Sequence, residues 1–137
     1  MMKTLMRPFL LVALLASGFL SGCKKDSDSF PSLVGTWQLT NRVCYCPPAP
    51  LPNEMVEFTK SEVTFYQDGK PTVHGTYAFT MSKACGRPDA IPSVRFAFMN
   101  ADAIPQDIKV TVSGNKLILD YGSGCLADAV VDTYERL

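Results

Sequence analysis

The sequence predicts an all-β domain: eight antiparallel strands in up-and-down order, closed into a barrel, behind a cleaved N-terminal signal segment. Three observations carry this prediction. Apolar side chains recur with period two, not three to four, from residue 34 to the end of the chain. Clusters of Gly, Asn, Asp and Pro cut that pattern into short runs. Eight such runs joined in chain order can close on themselves, which removes exposed sheet edges.

The strands are expected at about 34–46, 54–59, 62–67, 71–80, 93–99, 106–112, 116–121 and 128–136. The first is "LVGTWQLTNRVCYC". In the second, "EMVEFT", Val56 and Phe58 share a face; in the third, "EVTFYQ", Val63 and Phe65 do. "PTVHGTYAFT" aligns Val73, Gly75, Tyr77 and Phe79, and "SVRFAFM" aligns Val94, Phe96 and Phe98. "DIKVTVS" and "NKLILDY" follow, and "DAVVDTYERL" closes the series. Asp68-Gly69 and Gly114-Asn115 suit tight hairpin turns, because these residue types tolerate positive φ. The prolines of "PPAPLP" (47–52) cannot join a ladder and make an extended loop. Pro88 and Pro92 are expected to bracket another loop.

The first 32 residues read differently. Lys3 and Arg7 precede an apolar run from Phe9 to Leu20, the pattern of a secretory signal. The run is too short to span a bilayer, which takes about 20 residues. "LSGC" (Leu20 to Cys23) resembles the lipobox of bacterial lipoproteins. That resemblance implies a signal peptide over 1–22, lipidation of Cys23 and anchorage to a membrane through acyl chains. The following "KKDSDS" has the composition of a solvated tether, so residues 23–32 are assigned to the lipidated cysteine and a flexible linker. It also resembles the export signal of surface lipoproteins in the Bacteroidota. This implies an outer-membrane address, with display on the cell surface set against retention on the periplasmic side. The chain balances 13 Lys and Arg against 13 Asp and Glu, and Lys3 and Arg7 leave with the leader. No basic patch is left for nucleic acid.

Residues 33–137 form the folded domain. "GTW" (Gly35, Thr36, Trp37) at its start resembles the Gly-x-Trp motif of lipocalins. "GTY" (Gly75 to Tyr77) and the closing "TYERL" (Thr133 to Leu137) are similar to small lipocalin-like domains of bacterial lipoproteins. The resemblance implies a lipocalin-like barrel in which Arg136 packs over Trp37 and closes one rim. Such a contact contributes roughly 0.5–2 kcal/mol.

Four cysteines remain in the exported part: Cys44, Cys46, Cys85 and Cys125. Disulfides are the default there, with three possible connectivities. Two extended residues at i and i+2 lie near the upper Cα limit for a bridge, about 6.8 Å, and do not point at each other. Cys44–Cys46 is therefore disfavoured, and Cys125 is expected to bridge to one of the two across the β1/β8 seam. Cys85 falls at the opposite rim: it is reached by a long 81–92 loop, or is free, or marks a miscounted strand. The spacing lacks the paired knuckles of a structural zinc site, so no metal is expected.

Alternation turns Trp37, Phe58, Phe65, Tyr77, Phe79, Phe96, Phe98 and Tyr121 inward. An eight-stranded barrel is just wide enough to be filled or to hold one small ligand. The bulky set favours filling; Ala101, Ala103, Ala127 and Ala129 near the loops leave room for a shallow apolar pocket. The single histidine, His74, should point outward in mid-strand, and no nucleophile stands beside it. Asp102, Asp107, Asp128 and Asp132 read as solvated loop acids, and "GSG" (122–124) lacks the lysine and helix of a phosphate loop. No enzyme and no cofactor are expected. Two functions remain. The barrel binds a small hydrophobic molecule through Tyr45, Tyr66, Phe98 and Tyr121. Alternatively, a filled barrel meets envelope proteins or glycans through its loops, with "CYCPPAPLP" as the natural contact.

Overall fold

Alternating apolar residues and tight turns produce eight strands in the computed structural model, which describes residues 30–83, 88–99, 107–122 and 129–137. They are β1 (Gly35–Val43), β2 (Glu54–Phe58), β3 (Glu62–Gln67), β4 (Lys70–Lys83), β5 (Ala90–Phe98), β6 (Asp107–Ser113), β7 (Lys116–Asp120) and β8 (Val131–Arg136). Each pairs antiparallel with its neighbours in sequence, and β8 returns to β1, so the sheet is a closed barrel. Among the described residues every pairing lies between residues 35 and 136, so the chain from residue 27 onward contains the whole described barrel. The expected architecture is therefore the observed one.

Two hairpin turns follow their chemistry. Asp68 and Gly69 both take positive φ, at 51° and 74°, which matches the twist of the strands they join. Gly114 takes φ 58° at the β6–β7 turn. Gly75 serves a different need. A Cβ there would run into the carbonyl oxygen of Ala97 and sit 2.8 Å from Phe98 Cα, so β4 and β5 can approach only through glycine.

Four boundaries depart from expectation, among them the end of β4, which runs on to Lys83. β1 stops at Val43 and β8 starts at Val131, so both are shorter. β5 starts at Ala90 and takes in Pro92, which pairs with Met81. A proline fits there because pairing to β6 begins only at Ser93, so Pro92 faces no neighbour on its other side.

The barrel has two unlike ends. At one end Trp37 is fully buried and donates its indole N–H to the Leu33 carbonyl at 2.8 Å. Arg136 lies opposite Trp37 in register, with its guanidinium carbon 4.1 Å from the ring centroid, and donates to the Val34 carbonyl. Leu33 is buried beneath, and Phe30 stacks on Phe79 at 4.6 Å. The segment before β1 thus crosses this rim and seals it. Above it lies the core, with Phe58, Phe96, Val56, Val63, Leu117, Leu119 and Tyr134 buried.

Candidate functional site: the open mouth of the barrel

At the other end the filling gives out. Phe65, Phe98 and Tyr121 are only partly buried, although Phe96 just below is buried and meets Phe65 edge-on at 5.9 Å. With Val73 and Val130 they wall a cavity of about 630 Å³. Cys44, Cys46 and Thr72 stand at its edge. A second hollow, of about 730 Å³, lies against the proline-rich loop and shares Arg42, Cys44 and Cys46 with the first.

The cavity also holds a charged group of residues. Arg42 reaches it because of a β-bulge. The β1–β8 register slips between Leu39 and Asn41, which reverses the facing of β1 beyond that point. Leu39 faces inward below the slip, and Arg42 faces inward above it, opposite Asp132. The guanidinium binds Asp132 in a fork, Nε to Oδ1 at 2.6 Å and Nη2 to Oδ2 at 2.8 Å. Its Nη2 also approaches the two oxygens of Glu54, at 3.4 and 3.3 Å. The Tyr134 hydroxyl donates to Glu54 Oε1 at 2.6 Å and lies 3.5 Å from Asp132 Oδ2.

The electrostatics follow from this geometry. The hydrogen bond to Asp132 is the largest reason that Arg42 holds its proton more firmly than a free guanidinium. Burial pushes the Tyr121 phenol well up, and the charges of Asp132 and Glu54 add to this. Burial does the same to Tyr134, joined by the neighbouring Tyr121 and the bond to Glu54. Both phenols are thus kept protonated, and Tyr134 uses its proton on Glu54. Among the described residues no buried side-chain nitrogen or oxygen lacks a partner. None of their His, Cys, Asp and Glu groups is placed to hold a metal ion.

Of the four residues expected to bind ligand, Phe98 and Tyr121 line the cavity. Tyr45 does not: it is 90% exposed beyond the end of β1. Nor does Tyr66, which sits on the outer face and donates to Glu57 Oε2 at 3.0 Å. Strict alternation puts Tyr66 opposite in facing to Phe65, so only Phe65 looks into the barrel. Asp132 corrects the reading of it as a solvated loop acid, since it is 1% exposed in β8. Its signal was present: if Arg136 covers Trp37 from inside, Tyr134 and Asp132 share that face by period two. Asp107 is likewise a strand residue, in β6, where it accepts two bonds from Arg95 on the outer face. His74 is on the outside as expected, 2.9 Å from the Thr64 hydroxyl.

The cysteine expectation is also corrected. Cys44 and Cys46 are joined to each other, with Cα atoms 5.3 Å apart. The argument against this pair assumed an extended strand, but β1 ends at Val43 and the chain bends at Tyr45 and Cys46. The bend draws the two residues inside the disulfide range of about 4.4–6.8 Å. Cys23, Cys85, Cys125, Ala101, Ala103, Ala127, Asp102 and Asp128 lie outside the described residues.

The fold and site together define a small up-and-down β-barrel with one sealed end and one open, partly charged mouth. No protein-family model, curated protein or solved structure matches the chain.

Proposed function

We propose that the chain is a lipid-anchored lipoprotein of a bacterial outer membrane, lipocalin-like in fold, whose barrel holds a small hydrophobic molecule in its open mouth. One observation carries the reading. Phe65, Phe98 and Tyr121 remain partly exposed around a 630 Å³ cavity, while the opposite half of the barrel is filled. Ligand pockets typically enclose about 300–1,000 Å³ of mostly apolar wall with a few polar groups. The role is binding without catalysis. The lipobox-like "LSGC" supports the anchor at Cys23.

Native mass spectrometry on residues 27–137, secreted into an oxidising compartment, tests the binding role. A discrete adduct lost on unfolding is expected, and Phe98→Ala should weaken its retention. No adduct, even after incubation with a lipid extract, would end this reading. A second reading would then stand on Tyr45 and Leu51, both exposed near the proline-rich loop. There the loop meets an envelope protein or glycan.

A further inference from the structure

The charged residues in the cavity do not balance. Arg42 brings one positive charge, and Glu54 and Asp132 bring two negative ones; the other described residues lining the cavity carry none. The two carboxylates are also unequal. Asp132 is committed to the Arg42 fork, and its side chain is 2% exposed. Glu54 stands 3.3 Å or more from the guanidinium and takes one short bond, on Oε1 from the Tyr134 hydroxyl at 2.6 Å, while its side chain is 20% exposed. The negative charge left after the Arg42–Asp132 pair therefore rests on the carboxylate that an incoming molecule can reach. Burial is the main cause of the rise in the Tyr121 phenol, and the two carboxylates add to it against the opposing Arg42, in keeping with a negative local field.

We infer that the mouth selects an apolar molecule carrying a protonated amine, with Glu54 meeting the cation and Phe65, Phe98 and Tyr121 holding the apolar part. This rests on the reading of the mouth as a ligand site. A carboxylate head suits the site poorly. It would have to share Arg42 with two carboxylates already in place, and it would add a second unmatched negative charge. An ammonium cancels the existing one, and charge-assisted hydrogen bonds to carboxylate are the stronger kind.

Three probes with one chain length and different heads decide the matter: dodecylamine, dodecanol and dodecanoate. Each is titrated below its micelle concentration into residues 27–137 by isothermal calorimetry. Dodecylamine should bind about tenfold more tightly than dodecanol, a difference of about 1.4 kcal/mol, with dodecanoate weakest. In Glu54→Gln the amine should lose its advantage over the alcohol. The wild-type series needs no variant, so a poorly folded Glu54→Gln leaves the test intact. Equal binding of all three heads, or a preference for dodecanoate, would overturn the amine inference and leave the apolar pocket standing. Binding of none would overturn the pocket as well.

Discussion

Replacing Asp132 by Asn should destabilise the barrel, by removing one charge from a group in which each member leans on another. Asp132 is buried and takes two short bonds from Arg42. Asparagine keeps the shape but offers an N–H₂ where Arg42 needs an acceptor. Breaking a buried pair by removing one partner typically costs about 3–5 kcal/mol. Two features lower that figure here. The Arg42 side chain is 28% exposed, so water can reach it, and Glu54 stands 3.3 Å away as a substitute. A loss of about 2–3 kcal/mol is expected. For a domain near 100 residues, each kcal/mol shifts the midpoint by about 4–8 °C. Trp37, the single tryptophan, reports unfolding by its fluorescence. Replacing the pair together, as Arg42→Met with Asp132→Leu, should cost less than Asp132→Asn alone, because the guanidinium leaves with its buried partner and the charge that remains is on the part-exposed Glu54. A loss under about 0.5 kcal/mol for Asp132→Asn would refute the reasoning. So would a double variant less stable than the single one.

Gly75→Ala should cost about 3 kcal/mol, because the obstructing atoms are β5 backbone and cannot swing aside; an unchanged urea midpoint would show that the strands can part there. Tyr134 contributes to the alkaline limit, together with Tyr121. Its phenol stays protonated in the folded barrel well above the unfolded value near 10. Its contribution is therefore complete below about pH 10 and falls above it by about 1.4 kcal/mol per pH unit. Tyr134→Phe should flatten the decline in urea stability above pH 10 by that amount, and equal slopes in both proteins would count against burial as the cause.

Strand number, order and both hairpin turns were legible because each strand keeps its own alternation and the turns use residues that accept positive φ. Period two also placed Phe98 and Tyr121 on the inner wall. It failed at Arg42 for a physical reason: a one-residue bulge between Leu39 and Asn41 inverts which side chains face inward. "LTNRV" carries no glycine or proline to announce that slip. Asp132 failed differently. It lay within an expected strand, yet its charge was read as solvated, although alternation back from Arg136 places it on the inner face. The Cys44–Cys46 link was hidden because strand geometry was extended past Val43, where the backbone had already bent. Glu54 sits at the first position of β2, where the pattern alone does not separate a buried charge from a solvated one.

The seal at the Trp37 end also sets direction. The chain enters the barrel along the rim that Phe30, Leu33 and Arg136 close, and Leu137 bonds back to Thr36 at the same rim. Anything that moors the protein through its N-terminal side lies beneath the sealed floor. The mouth opens the opposite way, like a cup fixed by its base. A β-strand rises about 3.4 Å per residue, so the nine residues of β1 alone separate mooring from opening by up to about 30 Å. A molecule entering the mouth would thus come from the end opposite Phe30. A surface that captures the protein by its N-terminal side leaves the cavity free to fill and empty.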